Sequence, residues 1–78
     1  MNEQLRSVIA DALDLEPAEV TPELTRGSDA VAWDSMGHLR LITAVEETFD
    51  IRLSMDEIEG ITTAAELDGC VTTHTANK

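Results

Sequence analysis

The chain has 78 residues, and its 16 acidic and 5 basic side chains give a formal net charge of −11 at pH 7. A body so acidic repels nucleic-acid phosphates and anionic membrane surfaces, suits partners with basic patches, and is too small for a deep active-site cleft. A single cysteine, Cys70, excludes an internal disulfide, no apolar run is long enough for a signal peptide or a membrane span, and the cytosol is the expected compartment.

In chain order, Leu5, Val8, Ile9, Ala12 and Leu13 follow the i, i+3, i+4 spacing of one apolar stripe, which predicts a first helix from about Asn2 to Leu13. Glu3, Arg6 and Asp11 fall on its outer face. From Asp14 to Asp34 the period lapses, Pro17 and Pro22 interrupt, and Gly27, Ser28 and Asp29 mark a turn. This stretch is expected to be a long loop with one helical turn after Pro17, pinned to the helices by Val20, Leu24, Val31 and Trp33. Loops of that length in small domains are usually functional.

The second helix is predicted over Ser35 to Phe49. Leu39, Leu41, Ile42, Val45 and Phe49 are assigned to one broad core-facing arc, and Met36 to the opposite arc with Arg40, Thr43 and Glu47. Ser54 to Glu57 and Thr63 to Glu66 both match a capping box, the first opening a short third helix with Met55 and Ile58, the second a fourth with Ala64, Leu67 and Val71. Gly60 and Gly69 are placed near their ends. Thr72 to Lys78 contain no large apolar side chain, which divides the chain into a folded domain over 1–72 and a frayed tail over 73–78. The expected fold is an all-α, small four-helix bundle with one long loop, between helices 1 and 2, and a short third helix.

The chemistry centres on Trp33, Asp34, Ser35 and Met36. They put a hydroxyl where an irregular segment gives way to a helix, whose free N–H groups and dipole favour an attached anion by roughly 0.3 to 1 kcal/mol. Asp and Ser also cap helices with no further purpose, although a cap accounts for one of them. A hydrolase using Ser35, His38 and Asp34 is disfavoured, because adjacent side chains on one turn rarely achieve triad geometry and no glycine-rich elbow is present. His38 falls on the core side and is expected to pack there. Cys70 and His74 share a helix face, but two ligands without a third make a poor metal site; no metal is expected, and Cys70 is assigned to the core. Asp56, Glu57 and Glu59 are taken as a solvated face able to hold divalent ions loosely.

An amphipathic first helix, a long loop, Asp34-Ser35-Met36 opening a second helix, Glu46-Glu47-Thr48-Phe49-Asp50-Ile51 closing it, and Leu53-Ser54 before a short third helix together resemble the acyl carrier proteins over the whole domain. The resemblance implies a bundle of acyl-carrier type that is not a catalyst. It places 4′-phosphopantetheine, transferred from coenzyme A, on Ser35 beside the flanking motif residue Asp34. An acyl or aminoacyl group then rides on the arm as a thioester. The implied partners are a phosphopantetheinyl transferase and loading or processing enzymes with basic patches, reading Met36, Arg40, Thr43 and Glu47 on a monomer; nucleic acid and membranes are not among them.

Three positions depart from the family pattern. Met36 replaces the usual Leu, Gly37 costs up to about 1 kcal/mol of helix propensity, and Arg40 stands where fatty-acid carriers are typically acidic. Arg40 suggests a specialised carrier, and Trp33-Asp34-Ser35-Met36-Gly37 is similar to discrete carriers of polyketide, D-alanyl and aminoacyl transfer. The competing reading is an acidic helical interaction module in which Ser35 is only a cap.

Overall fold

A computed structural model describes residues 2–27 and 33–76. The order is α1 (Glu3–Leu13), a 3-10 turn (Pro17–Glu19), α2 (Ser35–Phe49), α3 (Met55–Gly60) and α4 (Ala64–Ala76), with no strand among the described residues. None of these helices is long and apolar enough to cross a membrane.

The first helix begins where its sequence supplies a cap. Asn2 Oδ1 accepts hydrogen bonds from the amides of Gln4 and Leu5 at 2.7 and 3.2 Å, which satisfies donors the helix cannot reach. It ends as the apolar stripe ends, with Asp14 left-handed at φ 57° and its N–H bonded to the Ala10 carbonyl. Leu5, Ile9 and Leu13 are fully buried and pack with Leu41 and Val45 of α2 and Leu67 of α4 in one core. Ala10 joins them, whereas Val8 and Ala12 lie at the margin.

The long connection is stitched down by both side chains and backbone. Val20 and Trp33 are buried and Leu24 is half-buried; Val31 and the turn residues Ser28 and Asp29 lie outside the described residues. The Arg26 amide donates to the Thr62 carbonyl at 2.8 Å, and the amides of Ala64 and Ala65 donate to the carbonyls of Leu24 and Pro22 at 2.9 and 3.0 Å. These bonds, with an isolated bridge between Thr25 and Thr63, fix the loop to the junction of α3 and α4. Gly27, at φ 86°, donates its amide to the Trp33 carbonyl at 2.8 Å and so closes the segment just before α2.

Three expectations are corrected. Leu39 is exposed, not core: at roughly 100° per residue it lies about 60° from Met36 and about 120° from the middle of the buried arc. Gly69 sits within α4 and not near its end, because that helix continues to Ala76. The hydroxyls of Thr73 and Thr75 bond back to the carbonyls of Gly69 and Val71, which supports a final turn that lacks large apolar side chains. Glu57 is not only part of a solvated face: it stays partly exposed, but its carboxylate turns toward α4 and bonds to Cys70 and His74.

Candidate functional site at the start of the second helix

The residue that caps α2 is Asp34. Its Oδ1 accepts from the Gly37 amide at 2.8 Å and its carbonyl accepts from the His38 amide at 2.8 Å, so Ser35 is the first residue of the helix and not its cap. That assignment removes the plain-cap reading of Ser35. The serine is exposed, and its hydroxyl makes no hydrogen bond among the described residues. With the amides of Gly37 and His38 taken by Asp34, those of Ser35 and Met36 remain at the helix front without an intrahelical partner. The first turns of α1, α3 and α4 each carry an acidic residue, whereas that of α2 carries none. Apart from the Asp34 cap itself, the positive dipole end of α2 is open to a further anion at Ser35.

A buried scaffold holds the serine in place. Trp33, fully buried, donates its indole Nε1–H to His38 Nδ1 at 2.9 Å, and the two rings stack with centroids 6.1 Å apart. Since Nδ1 accepts, the proton on the ring belongs to Nε2, which donates to the Ile58 carbonyl of α3 at 2.7 Å. Both ring nitrogens are thereby satisfied in the neutral tautomer. His38 is the packing residue expected, and with both ring nitrogens engaged it offers Ser35, three residues away, no free base.

Beside Ser35 a shallow groove of about 630 Å³ runs between α2 and α3, lined by Trp33, His38, Leu39, Met55, Ile58 and Arg26 among others. Leu39 and Met55 are large hydrophobes 63% and 68% exposed, one on each helix, and give the groove apolar flanks. Leu39 was assigned to the core, and a finer angular reading of α2 would have moved it outward. Arg26 and Met55 had no sequence signal pointing here: Arg26 is brought in by long-range bonds to the carbonyls of Thr62 and Glu59, and Met55 by the approach of α3 to α2, which the His38–Ile58 bond bridges. Met36, 72% exposed, shares an outward arc with Arg40, Thr43 and Glu47, all exposed as expected. Smaller depressions follow that arc.

A small bundle that presents an exposed serine just inside a capped helix start, beside an open apolar groove, has the form of a carrier. The family model described as a phosphopantetheine attachment site matches residues 3–71, and the chain belongs to that family, the acyl-carrier type. Domains of this family are carriers without catalytic activity of their own. They hold a covalently attached 4′-phosphopantetheine and work with a phosphopantetheinyl transferase and biosynthetic enzymes.

Proposed function

We propose that Ser35 is the attachment residue and that Asp34 serves it by capping the helix, a task for which the serine hydroxyl is then not needed. The observation that carries this reading is the register of the cap. With Asp34 at the cap, Ser35 lies on the first helical position, its hydroxyl without a hydrogen bond among the described residues, on a helix whose first turn beyond the Asp34 cap holds no acidic side chain. A phosphodiester at that oxygen is favoured by the dipole and by the amides of Ser35 and Met36. The arm, when bound, supplies a terminal thiol for an acyl or aminoacyl thioester. Leu39, Met55 and Ile58 offer apolar surface to whatever hangs from Ser35, and Arg26 is the cation of the groove.

Met36, Arg40, Thr43 and Glu47 form the face that partners read, and Arg40 directs the chain to enzymes of a specialised pathway. A charge of −11 suits brief, electrostatically steered handovers between such enzymes. The reaction that tests the attachment residue is incubation with coenzyme A, magnesium and a broad-specificity transferase, followed by intact mass and peptide mapping. One phosphopantetheine on the peptide containing Ser35, and none in Ser35→Ala, is the expected result; modification of the alanine variant overturns the assignment.

A further inference from the structure

Away from the groove, α3 and α4 are joined by three side chains of unlike chemistry. Cys70 and His74 stand four residues apart on α4 and so share one face. Glu57 reaches them from α3: its Oε2 accepts from the Cys70 thiol at 3.2 Å and from His74 Nε2 at 2.8 Å. The three donor atoms all lie within 4.8 Å of one another, and none of these residues lines the groove beside Ser35. The Glu57 carboxylate is also oriented from behind, because its Oε1 accepts the Ser54 amide at 2.9 Å in the capping box of α3. Outer-shell bonds of this kind fix the direction of a ligating carboxylate. The sequence offered only two ligands here, and the third comes from another helix.

We propose that Glu57, Cys70 and His74 form a site for a divalent ion of tetrahedral preference, Zn(II) by its donor set, with water in the fourth position. One sulfur, one imidazole nitrogen and one carboxylate oxygen are the ligand types zinc selects, while calcium and magnesium demand six or more oxygens. Metal–ligand lengths of about 2.0 to 2.3 Å around a tetrahedral ion place ligand atoms roughly 3.3 to 3.7 Å apart. The contacts at 2.8 and 3.2 Å therefore need open by only about half an ångström for the ion to replace the two hydrogens that now bridge them.

Charge favours the exchange. A thiolate, a carboxylate and a neutral imidazole balance the two positive charges of the ion. Binding expels the thiol proton to solvent and leaves the imidazole proton on Nδ1 in place of Nε2, and the net charge of the chain with its ion becomes less negative by one. Burial, with the adjacent Glu57, pushes the Cys70 thiol up to about 11, so without metal the sulfur keeps its proton at neutral pH. Affinity accordingly rises with pH. The ion would also clamp α3, a helix of six residues with none fully buried, onto α4.

The test is a Co(II) titration of the full chain carrying Ser35→Ala, in which Cys70 is the sole thiol. The expected result is tetrahedral cobalt absorption in the visible with a thiolate-to-cobalt charge-transfer band, saturating at one ion per chain and displaced by Zn(II). Adding Cys70→Ser removes the charge-transfer band, and adding His74→Gln weakens binding at least about tenfold. A second readout needs no variant at the site: Zn(II) slows alkylation of Cys70 by iodoacetamide, and a chelator restores the rate. Absence of the charge-transfer band at saturating cobalt, its survival in the Cys70→Ser chain, or an alkylation rate indifferent to Zn(II) overturns the proposal.

Discussion

The pair Ser-Met opens a helix twice in this chain, as Ser35-Met36 at α2 and as Ser54-Met55 at α3, and the two serines have opposite surroundings. Ser54 is itself the cap: its Oγ accepts the Glu57 amide at 3.1 Å, Glu57 returns a bond to the Ser54 amide at 2.9 Å, and Asp56 and Glu57 put negative charge on the first turn. At Ser35 the cap has moved one residue upstream to Asp34, the hydroxyl has no hydrogen bond among the described residues, and the first turn holds no acid. A shift of one residue thus separates a serine occupied in holding its helix from one available for chemistry. Both methionines are exposed, so hydrophobicity alone does not distinguish the two sites.

The largest expected effect is a double dissociation of loading and stability. Ser35→Ala is expected to abolish loading by the transferase while changing stability by no more than about 0.5 kcal/mol, as for a surface position. Ser54→Ala should load fully and lose about 1 kcal/mol, the worth of a cap. Mass spectrometry and urea denaturation of the two variants check both halves, and a loading defect in Ser54→Ala would erase the contrast.

Next comes the scaffold that only α2 possesses. His38→Leu strips the acceptor from the buried Trp33 indole and the donor from the Ile58 carbonyl, at a cost of roughly 1 to 3 kcal/mol. A stability within error of wild type would show that the Trp33–His38–Ile58 chain does not hold the start of α2.

Recognition should separate the arcs. Met36→Ala is expected to lower the transferase kcat/KM by roughly 1 to 2 kcal/mol, as for a truncated interface anchor. Arg40→Glu should weaken the cognate loading enzyme and improve use by fatty-acid enzymes, and steady-state kinetics with both enzyme classes at two salt concentrations measures the exchange. Equal behaviour of wild type and Arg40→Glu would make the arginine a bystander.

The smallest effect is a pH dependence centred on the start of α3. The Ser54 amide, then His74 and Cys70, hold the Glu57 carboxyl well below its ordinary 4.5, at about 2. Between those values the unfolded chain takes up the proton first, so the stabilisation is complete above about 4.5 and fades as pH falls toward 2. Bonds from Thr62 and Thr63 lower Glu66 in the same sense. Glu57→Gln should flatten the acid limb of the stability curve, measured by urea denaturation on either side of pH 4.5; an unchanged slope would assign the acid sensitivity elsewhere.

Local rules carried the sequence reading far. Helix spacing and caps located the four helices, the exposed Met36 and the burial of His38, because each depends on residues within about four positions of one another. What was misread depends on longer reach. The Ser54–Glu57 box was visible, yet the second carboxylate oxygen of Glu57 bonds to side chains 13 and 17 residues away, which no local pattern encodes. The Trp33–His38 bond was equally hidden, although both residues had been assigned inward. Leu39 failed for a different reason: on a helix whose buried arc is centred near Val45, a leucine at the boundary looks like core until neighbouring elements are in place. The left-handed Asp14 and Asp50 that end α1 and α2 carry a glycine-like conformation in residues that give only a weak signal for it.

Trp33 is the sole tryptophan of a chain without tyrosine. Its ring is sealed from water, stacked on an imidazole and bonded to it, two residues before Ser35. All indole emission therefore originates at the threshold of α2. Chemistry at the serine, or the arrival of an enzyme over Met36, perturbs that one fluorophore first, so unlabelled protein already contains an optical gauge of the events at its own front end.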